Sequence, residues 1–247
     1  MENFESLMIL AGGKGTRFKE YTEDIPKPMI RALNKPLLIH IIDHYINYQV
    51  KKIVILAGYK KEVISDYFSE KSDKKISNDS FLYKDVNISI LDTGQDAMTG
   101  ARIRKGLNLI KNENFYLTYG DGIADVNISA LTKFHLKNKA KVTLTAVRPP
   151  ARFGSLDLKD NKVINFGEKT NALQGWINGG FFVVNRSITN DLDDNDNCIF
   201  EKTPLESVTS EGKLYAYKHE GFWQCVDTIR ELEILERELT KNSYGKK

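Results

Sequence analysis

Cysteine is nearly missing from this chain: Cys198 and Cys225 are the only two in 247 residues, and no C-x-x-C spacing occurs. Neither a disulfide framework nor a zinc site is therefore expected. Nowhere do about eighteen apolar residues run together, so no membrane-spanning helix is predicted. The opening MENFESLMIL places acids before a very short apolar run and does not read as a signal peptide. Charge of one sign is lacking too. The 36 basic residues are scattered among 33 acidic ones, for a net charge of +3, whereas a nucleic-acid binder gathers its lysines and arginines on one stripe. No internal repeat is visible. The expectation is a cytoplasmic protein with neither nucleic acid nor membrane as a partner.

What is present is a rhythm. Hydrophobic residues make up 41% of the chain, enough for the core of one compact domain. LMIL (7–10), KIVILAG (52–58), NISIL (87–91), FYLTYG (115–120) and KVTLTAV (141–147) read as buried strands. Between them, apolar residues at 38, 41, 42, 45 and 46 give one helix its buried face, and helices are also predicted over 60–68, 100–110 and 128–137. Strands that alternate with helices and are apolar throughout predict a largely parallel sheet covered on both faces. After Pro150 the pattern changes to a hairpin around Asp160-Asn161, a strand over 177–185 and a terminal helix over 229–240. The fold class expected is α/β: a Rossmann-like mixed, mostly parallel sheet flanked by helices, with a β-rich C-terminal half. Two segments read as surface loops: the lysine-rich 69–80 and the acidic 189–197. The second has the look of a calcium loop, but Asp196 stands where glycine is required and Lys202 where the last glutamate belongs, so a solvated turn is expected.

The chemistry begins at the first strand. Leu10 and Ala11 run into Gly12-Gly13-Lys14-Gly15-Thr16-Arg17, and Pro26-Lys27-Pro28 follows. Glycines let backbone N–H groups approach phosphate oxygens. Arg17 and Lys27 can neutralise a triphosphate, and the flanking prolines stiffen the segment that presents Lys27. A Walker loop is excluded because Gly15, not Ser or Thr, follows Gly13-Lys14, and a dinucleotide fingerprint because Phe18 stands where its last glycine is needed.

The remaining combination resembles the nucleoside-triphosphate:sugar-1-phosphate nucleotidyltransferases, the nucleotidyl sugar pyrophosphorylases. Further stretches, DTGQDAMTGARI (92–103), TYGDGIADVNI (118–128), RFGSLDL, WINGGFF and GFWQCVDT, are similar to the branch that makes CDP-glucose, and the likeness spans nearly the whole chain. The resemblance implies one nucleotidyltransferase domain over 1–247, with a nucleotide-binding half to about 147 and an acceptor-binding half beyond it. It implies CTP and a phosphorylated small-molecule acceptor, glucose 1-phosphate, as substrates, Mg2+ as cofactor, and a homo-oligomer as the assembly. Carried over residue by residue, it makes Asp121 and Asp227 the Mg2+ ligands and catalytic residues together with Arg17 and Lys27. Leu10 to Arg17, Lys27, Thr99, Gly100, Arg102 and Gly120 would bind the nucleotide, with Thr99, Gly100 and Arg102 on cytosine and ribose. Glu168, Lys169, Asn178 and Gly179 would bind the acceptor. Trp176 and Trp223 flank these motifs and suit core or site alike. Arg148 and Ala151 stand where the family tends to Gln and Gly. Two other readings stay open: a cytidylyltransferase for another sugar phosphate or a small metabolite such as phosphoglutamine, and a non-catalytic nucleotide-binding subunit.

Overall fold

Leu7, Ile9 and Ala11 of the first strand enter one hydrophobic core while Met8 and Leu10 enter a second on the opposite face. That two-residue alternation in an unbroken apolar run is what a strand covered on both sides requires. The computed structural model describes residues 4–18, 22–149, 155–159, 162–167 and 175–241. In chain order, β1 (Ser6–Ala11) leads through the glycine loop and a 3-10 turn at Lys27–Met29 to the small hairpin β2 (Arg31–Ala32) and β3 (Lys35–Pro36). Then come α1 (Leu37–Ile46), β4 (Lys52–Ala57), α2 (Lys61–Lys71), β5 (Lys74–Ser77), β6 (Ser80–Tyr83), β7 (Val86–Asp92) and α3 (Thr99–Gly106). These are followed by β8 (Asn114–Tyr119), β9 (Gly122–Ala124), α4 (Ile128–Asn138), β10 (Val142–Val147), and the hairpin β11 (Ser155–Lys159) and β12 (Lys162–Gly167). The last elements are β13 (Ile177–Asn178), β14 (Phe182–Asn185), α5 (Thr203–Ser210), β15 (Leu214–Lys218), β16 (Trp223–Cys225) and α6 (Ile229–Lys241).

Strands β8, β1, β4 and β7 form the parallel centre of a ten-stranded sheet. Antiparallel strands extend it on both sides, β6 and β5 at one edge and β14 and β10 at the other. Val142 pairs with both Val184 and Leu214, so β15 lies on the outer side of β10. The β-rich second half thus continues the first half's sheet. Helices α1, α2, α4 and α6 pack on one face through Tyr45, Phe68, Leu131 and Leu235, and α3 and α5 on the other through Ile103 and Val208.

One expectation needs correction. The segment 69–80 is not a loop: β5 pairs with β6 as an edge hairpin. Its four residues are all exposed, so no apolar alternation marked it, and Phe81 of β6 supplies the buried anchor. The acidic segment is the exposed turn expected over 193–197, while its start belongs to a 3-10 helix (Arg186–Asp191); three of its acids are ion-paired, Asp191 with Lys141 at 2.6 Å, Asp194 with Arg104 at 2.5 Å and Asp196 with Lys105 at 2.7 Å. The predicted strand over 177–185 exists but is broken into β13 and β14, and its pairing with β10 shifts register by two residues across Gly179-Gly180-Phe181.

Candidate active site

Parallel strands deliver their carboxyl ends to one edge of the sheet, where α/β proteins bind ligands. Here β1 ends in the glycine loop, β8 ends at Gly120-Asp121, and β7 leads into α3. Between these endings lies a cavity of about 340 Å³. Of the expected site residues, Leu10, Ala11, Gly12, Gly13, Gly15, Thr16, Lys27, Thr99, Arg102, Gly120, Asp121 and Asp227 all line it. So do Pro28, Ala97, Met98 and Tyr119, which were not among the expected site residues.

The glycine loop is shaped by close approaches. A Cβ on Gly12 would lie 1.9 Å from the Arg102 guanidinium, and Gly15 turns with φ +62° beside Thr22 and Lys27. Arg102 is almost fully buried, and its guanidinium donates to the carbonyls of Gly12 (2.9 Å), Ala57 (3.1 Å) and Gly94 (2.9 Å) and to the Thr93 hydroxyl. In this structure it therefore staples the glycine loop to the ends of β4 and β7. Burial lowers its pKa from the ordinary value, against the opposing pull of Asp92, Asp196 and Asp96, yet a guanidinium remains a cation.

The other predicted nucleotide residues divide. Lys14 turns to Asp96, 2.8 Å away and exposed. Gly100 packs against Cys198 behind the cavity wall. Arg17 lies in the short 3-10 turn Thr16–Phe18, and its side chain lies outside the described residues, as do Glu168 and Lys169 entirely.

At the far end of the cavity sits a charged corner. The Lys27 ammonium donates to Asp121 Oδ2 at 2.5 Å and to Asp227 Oδ1 at 2.6 Å. Burial disfavours this ammonium, but the charge of Asp121 and the hydrogen bonds to both carboxylates outweigh burial and raise its pKa. Asp121 follows β8 directly, whereas Asp227 arrives by a different device. Strand β16 pairs antiparallel with β9, setting Cys225 opposite Gly122, and the Val226 amide donates to the Asp121 carbonyl at 3.1 Å. Donor atoms of Asp121, Cys225 and Asp227 all lie within 4.8 Å of one another, the one such group of three among the described residues. Because an ammonium already sits between the carboxylates, the corner fits a hard divalent cation held by oxygen donors.

A hydrogen-bonded chain leads from the cavity to the predicted acceptor residues. Thr99 and Tyr119 donate their hydroxyls to opposite oxygens of Glu201, at 2.6 and 2.7 Å. Asn178 in turn donates to the Tyr119 hydroxyl at 3.1 Å. Burial, then the neighbouring Glu201 carboxylate, pushes the Tyr119 phenol well above its usual range, so it stays neutral. The Trp223 indole donates to the Gly179 carbonyl at 2.8 Å, while Trp176 lies under Arg148, 4.7 Å from its ring centre, and Lys218, 5.5 Å away. Glu201 lies in Phe-Glu-Lys, a stretch with no motif, and only its tertiary partners reveal it.

A glycine loop at the end of a parallel sheet, facing two carboxylates bridged by a lysine, offers backbone donors to phosphate groups and oxygen ligands to a divalent cation. The chain matches the family model described as Nucleotidyl transferase over residues 6–242 and belongs to that family. It is a nucleotidyltransferase, and enzymes of this family generally use a divalent metal. The particular relatives are equally clear. The chain is 40% identical over 241 residues to the glucose-1-phosphate cytidylyltransferases of Salmonella typhimurium and Salmonella typhi, covering 93% of each chain. Its fold superposes on HddC from Yersinia pseudotuberculosis with a TM-score of 0.73 at 23% identity, over 96% of this chain and 100% of that one. No helix among the described residues is long and apolar enough to cross a membrane.

Proposed function

We propose that this enzyme transfers a cytidylyl group from CTP to α-D-glucose 1-phosphate, releasing pyrophosphate and forming CDP-glucose. The observation that carries the transfer chemistry is the corner in which Lys27 bridges Asp121 and Asp227 at the end of a glycine-lined cavity. The choice of CTP and glucose 1-phosphate follows the relatives that this chain resembles at 40% identity. The nucleotide is assigned to the first half of the chain and the acceptor to the second, where Glu168, Lys169, Asn178 and Gly179 would meet it.

The acceptor's phosphate oxygen attacks the α-phosphorus in line. A new P–O bond forms as the bond to the β-phosphate bridging oxygen breaks, and pyrophosphate leaves with that electron pair. The attacking group is already an anion, so no general base is needed, and the protein supplies positioning and charge stabilisation. Asp121 and Asp227 would hold Mg2+, which when bound withdraws charge from the phosphate oxygens as a Lewis acid. Lys27, once its carboxylates are engaged elsewhere, offers its ammonium to the triphosphate, with Arg17 as a second cation. Glycine backbone leaves the phosphates room to approach.

A second reading keeps CTP and changes the acceptor to another sugar phosphate or a small phosphorylated metabolite. Arg148 and Lys218 beside Trp176 place two cations near the predicted acceptor strand and would suit an acceptor with a further anionic group. A pyrophosphate-release assay crossing CTP, dTTP, UTP, GTP and ATP with a panel of phosphorylated acceptors tests both readings. CTP with glucose 1-phosphate should give the highest rate. Equal rates with GTP or dTTP would remove the cytidylyl assignment, and CTP turnover only with another acceptor would select the second reading.

A further inference from the structure

We propose that Asp121, Cys225 and Asp227 form a mixed carboxylate–thiolate site for a thiophilic divalent cation, Zn2+ or Cd2+, at the corner where the reaction's hard metal would be held. The proposal rests on reading Asp121 and Asp227 as metal ligands and adds a third donor of different chemistry.

Strand geometry places the sulfur. Side chains along an extended chain alternate in direction, so residues two apart share a side. Val226 is fully buried in the core, which turns Cys225 and Asp227 together toward the corner. Pairing of Cys225 with Gly122 sets the thiol level with Asp121. The three donor atoms already lie within 4.8 Å of one another. A tetrahedral zinc ion with bonds of about 2.0–2.3 Å brings its donors to roughly 3.5 Å separation, a closure that side-chain rotation can provide.

The corner also accommodates positive charge, since the Lys27 ammonium is hydrogen-bonded to both carboxylates. An entering dication exchanges with that ammonium. As the metal–sulfur bond forms, the Cys225 S–H bond breaks and its proton passes to solvent; no electron transfer is involved. Mg2+ prefers oxygen donors and gains little from sulfur, whereas Zn2+, Cd2+ and Co2+ bind thiolate well. The sparse cysteines of the sequence argue against a structural zinc centre built from cysteines alone, and this site is of another kind.

Co2+ titrated into the metal-free, full-length protein tests the proposal, because a cobalt–thiolate bond gives a charge-transfer absorption in the near ultraviolet. The band should saturate at one equivalent, vanish on adding Zn2+ or Cd2+, and require a large excess of Mg2+ to be erased. The wild-type protein alone decides those arms. Cys225→Ser should abolish the band, while Cys198→Ala, which removes a thiol buried beneath α3, should keep it; melting curves report whether each variant is folded. By calorimetry, Cys225→Ser should weaken Zn2+ binding by roughly 10–100-fold or more, at least as much as losing a partner of a metal ligand. Co2+ binding heat without the band would overturn sulfur ligation and leave the carboxylate pair standing. A band that survives in Cys225→Ser would overturn the proposal by placing the thiolate elsewhere. The absence of any Co2+ binding would overturn it together with the metal-ligand reading.

Discussion

The two ends of the cavity are built from different materials. At the β1 and α3 end, bare glycine backbone with Leu10, Ala97 and Met98 forms the wall, and Arg102, the charged side chain lining it among the described residues, donates to backbone carbonyls rather than to an acid. At the β8 and β16 end, three charged side chains lie in direct contact. The first end is shaped by main chain and suits selective recognition, since fixed donors and acceptors discriminate one base from another. The second holds concentrated charge and suits the reacting phosphates. Binding and turnover are therefore expected to fail separately when each end is damaged.

The largest loss belongs to the charged end. Asp121→Asn and Asp227→Asn should each lower kcat by about 10³ or more with little change in fold, because each would remove a ligand of the proposed shared metal. The double variant should be little worse than the poorer single one, as strongly coupled groups are non-additive. Multiplicative losses in measured kcat would show that the two do not act on a shared ion.

Lys27→Ala should lower kcat/KM by roughly 10²–10³, comparable to losing one strong electrostatic donor. A lysine that faced only phosphate would leave stability untouched, but Lys27 is the counter-ion of two half-buried carboxylates. Removing it should cost about 1–3 kcal/mol in the metal-free protein, less than a fully buried pair because both acids keep some solvent. Added Mg2+ should restore much of that stability. Melting temperatures with and without Mg2+ check this, and equal melting of variant and wild type in its absence would contradict the counter-ion role.

Gly12→Ala tests the other end. Its Cβ would collide with the Arg102 guanidinium, and overpacking of this kind costs roughly 1–3 kcal/mol. The cost should appear mainly as a raised KM for the nucleotide, roughly tenfold, with kcat changed much less. A fall in kcat alone would mean that the loop serves the chemical step rather than binding.

The smallest effect is expected between the ends. Tyr119→Phe removes the hydroxyl that joins Glu201 to Asn178 and should raise the acceptor KM several-fold, in line with about 1 kcal/mol for one hydrogen bond. An equal change in the nucleotide KM would place this link on the other substrate.

Much of this was legible in the sequence because it is local. The apolar runs of β1, β4, β7 and β8 are strands for the same reason that they are buried, and the glycine loop follows directly from the end of one of them. The exposed β5 hairpin escaped notice because its side chains carry no alternation. Glu201 escaped because a lone glutamate among unlike neighbours has no pattern, and its partners Thr99 and Tyr119 lie 102 and 82 residues away.

By itself the sequence determined the central strands with the helices between them, the parallel centre of the sheet and the glycine loop at the end of β1, since each depends on residues within a few positions of one another. Tertiary structure decided that Arg102 is spent on backbone carbonyls, that Lys27 bridges acids 94 and 200 residues away, and that Cys225 shares their corner. Contacts at such separations are set by strand pairing and core packing across the whole chain, and no short-range periodicity encodes them.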